Sequence, residues 1–208
     1  MTTPPIDFDA RARTWDEDAA KVDRARRVAD AIAARVPLAG KTVLEYGAGT
    51  GLLGLALQSR VAQVTLVDSS REMLAVAREK IAASGVANAT TLLLDLAAGP
   101  PPPGTRFDVV CSLMTLHHVP DTEGILRAFH ALLAPGGVLC VADLDREDGS
   151  FHGPGVPVHH GFDRPELAAR LERCGFRPVE FVTACEVARP AGASVRSYPV
   201  FLAIASKA

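Results

Sequence analysis

The stretch VLEYGAGTG, residues 43–51, decides the fold. A short apolar β-type run stops at Glu45 and gives way to Gly47, Gly49 and Gly51, after which Leu52–Leu57 continues at once in an apolar helical pattern. That order reads as strand, tight turn and helix start. Glycines at the turn let backbone approach a ligand where a Cβ would collide. A second β-type run, Val64–Val67, ends in Asp68, and an acid at the tip of a second strand is placed to accept hydrogen bonds from two ribose hydroxyls. The two units read as the first half of a nucleoside-binding α/β sheet.

Outward from this centre, strands and helices alternate. Strands are expected at 42–46, 64–67, 90–94, 107–112, 138–142, 179–187 and 200–206. Helices are expected at 52–58, 71–83, 121–133 and 163–174, with Asp121 and the Asp163/Glu166 pair as N-terminal caps. Upstream, Trp15, Ala19, Val22, Ala29, Ile32 and Val36 share one face of an expected helix over 10–36, with Arg and Asp opposite. Four consecutive prolines in 99–104 make an extended loop, and residues 1–9 read as a loose tail. Alternating β and α over 208 residues implies one domain with a mostly parallel sheet covered on both faces.

Composition narrows the class. Hydrophobic residues are 48%, charged residues 22% and net charge −2, ordinary for a globular chain and without the clustered cations of a nucleic-acid surface. No apolar stretch approaches a membrane span, and MTTPPIDFDA lacks a secretory signal's basic and apolar regions, so a cytoplasmic location is expected. Cys111, Cys140, Cys174 and Cys185 form no C-x-x-C pair and read as small core residues.

Four segments in order carry a family resemblance: VLEYGAGTG; VTLVDSS (64–70); LLLDLA (92–97); and FDVVCSLMTLHHV (107–119) followed by LLAPGGVLCVAD (132–143). The chain resembles a class I S-adenosylmethionine-dependent methyltransferase of the small-molecule type. The resemblance implies a Rossmann-like, seven-stranded, mostly parallel sheet with helices on both faces and the last strand antiparallel. It also implies S-adenosylmethionine as cofactor and S-adenosylhomocysteine as product. The implied cofactor positions are Glu45, Gly47, Ala48, Gly49, Asp68, Ser69, Met73, Asp95 and Leu96. Glu45 faces the cationic methionyl part, Asp68 the ribose, and Asp95 with Leu96 the adenine. Met73 either flanks adenine or sits in the core. The implied layout is a single domain over 1–208: tail and lid helix in 1–37, cofactor core in 41–187, substrate loop in 145–162 and final strand in 196–208.

Two rivals remain beside it. One is a non-catalytic S-adenosylmethionine-binding regulatory domain. The other is a nicotinamide-dependent oxidoreductase, since Gly49-x-Gly51-x-x-Gly54 matches the dinucleotide loop G-x-G-x-x-G. That loop takes its first glycine directly after the strand, here Gly47, which leaves Leu52 at the third glycine position, and Glu45 would repel a pyrophosphate.

Methyl transfer needs alignment and exclusion of water, and a base only where the nucleophile keeps a proton. His117 and His118 follow the fourth strand, one expected in the cleft and the other in the core. His152, His159 and His160 lie in the loop after the fifth strand. His117, His159 and His160 are the candidate catalytic residues; Trp15, Asp143 and His152 are the candidate substrate contacts. Asp143 and Asp145 either touch substrate or cap the loop, and Trp15 either closes the pocket or anchors the helix. No Cys or carboxylate stands at ligand spacing among the loop histidines, so no metal is expected. The fourth strand lacks the Asn/Asp-Pro-Pro-aromatic motif of nucleic-acid base methylation, so the expected partner is a small-molecule acceptor in oxygen, nitrogen, carbon or sulfur chemistry, with neither nucleic acid nor membrane. Oligomeric state is not legible.

Overall fold

The computed structural model describes residues 6–153, 155–191 and 194–208. Seven strands form one sheet in the order β3-β2-β1-β4-β5-β7-β6. They are β1 (Thr42–Tyr46), β2 (Gln63–Asp68), β3 (Ala89–Leu93), β4 (Phe107–Leu113), β5 (Leu133–Leu144), β6 (Phe176–Ala191) and β7 (Ser194–Lys207). The first five pair in parallel, and β7 runs antiparallel between β5 and β6. The helices are α1 (Phe8–Arg11), α2 (Ala19–Ala33), α3 (Leu52–Leu57), α4 (Arg71–Ser84), α5 (Thr122–Leu132) and α6 (Arg164–Arg173).

Alternation along each strand sorts the helices between the two faces. Val43 turns toward a core shared with Ala25, Val28 and Ile32 of α2 and Leu53 of α3. Leu44 and Tyr46 turn the other way, onto Leu126 and Phe129 of α5 and Leu167 of α6. Reversal of chain order at β1/β4 opens a crevice at the carboxyl ends of the parallel strands, the place where open α/β sheets bind ligands.

The single helix expected over 10–36 is divided. Asp7 caps α1 by accepting from the Ala10 N–H at 3.0 Å, residues 12–17 form a 3-10 turn, and Asp18 starts α2 by accepting from the Ala20 N–H at 3.0 Å. The two local caps compete with continuous helix and win. Only α2 packs into the core; residues 6–18 cross the open end of the sheet. The expected loose tail over 1–9 is helical from Phe8, and its first five residues lie outside those described.

The last two strands outrun their expected ends. They form a hairpin that continues past the tip of β5, where β5 and β7 part at Leu144↔Val200. Beyond that point the hairpin is two-stranded, which accommodates Pro190 and Pro199 on a ladder with free edges. This arm carries Arg189 to the crevice and packs the buried Tyr198 edge-on against Phe151, ring centres 5.2 Å apart. The expected caps hold: Asp121 accepts from the Gly124 N–H at 2.8 Å, and Asp163 from the Glu166 N–H at 3.0 Å. The reciprocal half of the second capping box is missing, because the Glu166 carboxylate binds Arg146 at 2.6 Å instead.

Candidate active site

A cleft of about 840 Å³ opens at the carboxyl ends of β1, β2 and β4 and is roofed by residues 6–25. Its floor begins with the glycine turn after β1. Gly47, at φ +68°, leaves room for Thr115: a Cβ there would meet the Thr115 side chain at 2.3 Å. Gly49, at φ +54°, has open space toward the cleft, with Met73 Sδ 3.7 Å and Trp15 Nε1 3.9 Å from where its Cβ would stand. A flat group entering here finds bare backbone below and a Met and an indole at its edges. Gly54 serves packing, since a Cβ would strike Leu66 at 2.3 Å and Glu45 Oε2 at 2.7 Å.

Three carboxylates stand along this floor. Glu45 is 2% exposed and accepts from the Gly54 N–H at 2.8 Å. Burial pushes its carboxyl up to about 8; the Asp68 charge adds to the rise, and the Gly54 N–H and the Lys80 charge oppose it. Asp68 accepts from the Gly49 N–H at 2.7 Å and the Ser70 N–H at 2.8 Å, which ties the two turns together. Burial raises it above the ordinary carboxylate range, against those N–H groups. Asp95, exposed just beyond β3, accepts from the Ala97 N–H at 2.9 Å. Ala48, Ser69 and Met73 also line the cleft. Leu96 does not: it is buried among Tyr46, Val67 and Leu116, because the turn sends Asp95 and Ala97 outward and Leu96 inward.

Residues 6–18 are tied across this floor. Asp16 accepts from Thr50 Oγ1 at 2.5 Å and pairs with Lys80 at 2.6 Å, while Lys80 also donates to the Thr50 carbonyl at 2.9 Å. Asp9 accepts from Ser70 Oγ at 2.5 Å. Trp15 is half-buried and lines the cleft, with Lys21 Nζ 3.7 Å from its ring centre. Arg13 turns away to pair with Glu79 at 2.6 Å.

The histidines lie at the other end. β4 gives way at Met114, just past its end, whose φ of +53° is unusual for a non-glycine residue and whose N–H donates to the Ala142 carbonyl at 2.8 Å. This bend swings His117 back over the tip of β5. His117 is 1% exposed and Asp143 is fully buried beneath it, Nδ1 to Oδ1 at 2.7 Å. Asp143 also accepts from the N–H groups of Leu144 and His117. Burial disfavours its ionisation, but the charge and hydrogen bond of His117 together with the two N–H groups outweigh burial and hold it below the usual range. Nε2 of His117 lies 3.0 Å from Nε2 of His152. Burial first, then neighbouring positive charge, pulls His152 down to about 4 and His118 to about 3, so both are neutral at pH 7.

Several expectations change here. His117 and His118 both line the cleft, instead of dividing between cleft and core. Asp143 does not reach the cleft; it orients His117 from behind. His159 and His160 face a separate pocket of about 400 Å³ with Arg146 and Glu166. His159 pins the loop: its N–H donates to the His117 carbonyl at 2.8 Å, and its ring lies 3.0 Å from the Val119 carbonyl. His152 is the loop histidine that enters the cleft. Nitrogens of His117, His118 and His152 lie within 4.8 Å of one another, a spacing a metal ion can bridge; it joins different histidines from the loop trio weighed in the sequence. The cleft also takes in Arg24, Arg189, Phe151 and Met114, which the sequence did not single out. Arg24 belongs to the Arg- and Asp-bearing face of the leading helix, which carries no signal of cleft contact, and nothing in the sequence shows that the β6–β7 arm reaches the cleft.

With the geometry in place, comparison with known proteins is informative. Residues 43–137 match a methyltransferase domain family. The ubiquinone biosynthesis O-methyltransferase of Xylella fastidiosa is 40% identical over 162 residues, covering 70% of this chain and 65% of that enzyme. The enzyme of the same description from Pseudomonas paraeruginosa is 40% identical over 117 residues, 56% of this chain and 50% of its own length. The chain thus spans about half to two thirds of these relatives. Among solved structures, a SAM dependent methyltransferase from Aquifex aeolicus superposes with a TM-score of 0.73 at 20% identity, over 98% of this chain and 100% of that one.

Proposed function

We propose, for a chain with the fold of the class I S-adenosylmethionine-dependent methyltransferases and a methyltransferase domain over residues 43–137, that it moves a methyl group from S-adenosylmethionine to a nucleophilic atom of a small molecule. One observation carries the reading. Glu45, Asp68 and Asp95, at the ends of three neighbouring parallel strands, line one continuous cleft with His117 and His152.

The residues present fit the donor. Asp68 offers its remaining lone pairs to ribose hydroxyls, Asp95 accepts from an exocyclic amine, and the bare Gly47–Gly49 backbone with Glu45 beneath it suits the cationic methionyl part. When bound, the donor supplies an electrophilic methyl on a sulfonium. The acid-lined floor then favours the positive charge, and residues 6–18 exclude water.

The histidines handle the acceptor's proton. In the neutral form of His117, with Asp143 ionised, the ring proton sits on Nδ1 and the Nε2 lone pair faces the N–H of His152. His152 then presents Nδ1 as an acceptor. An acceptor O–H or N–H gives its proton there; the Nε2 proton of His152 passes to His117, and Asp143 stabilises the resulting imidazolium. His117 is the candidate base of the pair, acting through His152, and Asp143 is a positioning residue.

Calorimetry with S-adenosylhomocysteine, followed by mass detection of methylated product over an acceptor panel, tests the reading. Saturable binding plus product supports it. Binding without product for any acceptor favours the regulatory-domain alternative. Binding of NAD in place of S-adenosylhomocysteine favours the oxidoreductase.

A further inference from the structure

The acceptor half of the cleft holds positive charge that no carboxylate neutralises. Arg24, on α2, lines the cleft; its Nε is buried and without a partner, and among the described residues no hydrogen bond or ion pair reaches its guanidinium. The carboxylates that act on it are Asp18 and Asp143, and both are engaged elsewhere. Asp18 caps α2 and lies 3.7 Å from Lys21, and Asp143 holds His117. Arg189, on β6, lines the same cleft with its guanidinium carbon 4.2 Å from the centre of the Phe151 ring. It too has no carboxylate partner among the described residues. Arg13, Arg60, Arg146 and Arg164, by contrast, each face one.

The cleft is therefore divided in charge. Glu45, Asp68 and Asp95 line one half; Arg24 and Arg189 face the other, with neutral His152 beside them. Two mutually repelling guanidiniums, that of Arg24 largely buried and that of Arg189 exposed at the rim, are costly without a counter-ion, and their planar forks match a carboxylate or phosphate. The cation–π contact over Phe151 fixes Arg189 without neutralising it. The same charge disfavours a dication among His117, His118 and His152, although their spacing alone would admit one.

We infer that Arg24 and Arg189 form an anion clamp, and that the methyl acceptor is a small molecule bearing a carboxylate or phosphate group, seated there with its nucleophilic atom toward His152. This rests on the methyl-transfer reading. A carboxylate has a second source, the methionyl end of the donor itself, and the test separates the two.

Benzoate and phenyl phosphate, with benzamide as the neutral counterpart, are titrated into the full chain saturated with S-adenosylhomocysteine. Both anions should bind saturably and benzamide about tenfold more weakly or less. Arg24→Met and Arg189→Met should each weaken the anions by about tenfold and leave S-adenosylhomocysteine affinity within about twofold, which also reports that the variants fold. Arg189 is exposed and removable independently of the core, so it decides the matter if Arg24→Met does not fold. Equal binding of benzoate and benzamide, or anion binding unchanged in Arg189→Met, overturns the clamp. A parallel loss of S-adenosylhomocysteine affinity overturns the acceptor assignment and gives the guanidiniums to the donor's carboxylate. Failure of the wild-type chain to bind S-adenosylhomocysteine refutes the methyl-transfer reading itself.

Discussion

Glu45→Gln isolates the least ordinary electrostatic feature of the cleft. Burial holds the Glu45 carboxyl near 8, so the free protein carries it mostly protonated at neutral pH. At a pKa of about 8 the ionised fraction is roughly 1% at pH 6 and roughly 9% at pH 7. If the donor's cationic methionyl end binds only the ionised form, the apparent dissociation constant scales inversely with that fraction. Affinity for S-adenosylmethionine should then rise about tenfold from pH 6 to 7, with about 0.9 proton released per donor bound at pH 7. The donor's own ammonium, of ordinary pKa near 7.7–8.0, stays protonated over this range, and His118 and His152 stay neutral. Calorimetry in two buffers of different ionisation enthalpy reads both the slope and the proton count. Glu45→Gln keeps the acceptor for the Gly54 N–H and should bind with no slope. A flat wild-type profile, or a variant with the wild-type slope, would falsify the assignment. Linkage gives a ligand-free check. The folded pKa lies above the unfolded value near 4.5, so the folded state binds the extra proton between about pH 4.5 and 8. Wild-type stability should fall relative to Glu45→Gln as pH rises through that window, by at most about 1.4 kcal/mol per pH unit.

Asp68→Ala removes the proposed ribose acceptor and the partner of the Gly49 N–H, and should weaken S-adenosylhomocysteine binding by tenfold or more, from about 1.5–3 kcal/mol per charged hydrogen bond; unchanged affinity removes Asp68 from the site. Asp143→Asn should lower turnover about a hundredfold or more while sparing donor affinity, since it loses the anion that fixes the His117 tautomer. A parallel loss of donor binding would mean that the change acts on the fold. Asp16→Ala cuts the tie to Thr50 and Lys80, and should speed S-adenosylhomocysteine release in stopped-flow by about fivefold or more, from about 1 kcal/mol or more of lost interaction. An unchanged release rate dismisses residues 6–18 as a closing segment.

Strand positions, the helices after residue 40 and the placing of Glu45, Asp68 and Asp95 beside one cleft were legible in the sequence, because local chain chemistry writes them. Val43 and Leu44 make a short apolar run closed by Glu45, Gly47 and Gly49 take positive φ, and Asp68 ends its strand. At the histidine end His117 and His152 were named, but how they meet was not legible, because that end is assembled from segments remote in sequence. His117 meets His152 across 35 positions, through the Met114 bend that no residue type announces. Arg189 reaches Phe151 only because the last hairpin outruns β5. The loop after β5 shows the cost of reading composition without topology. The sequence reads His159 and His160 as catalytic candidates and His152 as a substrate contact, yet beside the tight corner at Gly161, where a Cβ would meet the Asp145 carbonyl at 2.1 Å, His159 and His160 face away from the cleft and His152 alone of the three lies inside.

That corner also lets His159 hold the loop against the segment that carries His117. Phe162 donates its N–H to the Leu144 carbonyl and His159 donates its N–H to the His117 carbonyl, so the loop is stitched both to the tip of β5 and to the segment it must serve. The Asp143–His117–His152 chain therefore rests on two elements whose relative position is set by backbone hydrogen bonds. Asp143 is fixed by the sheet and His152 by the loop, and His117 bridges them from β4. A relay of this kind tolerates little displacement, since hydrogen bonds weaken steeply as distance and angle depart from their optima. The hydrogen-bonded ties of residues 6–18 run to Thr50, Ser70 and Lys80, while Phe8 packs edge-on against His118 at 5.3 Å, so opening of this segment for the proposed donor would also loosen one side of the histidine cluster.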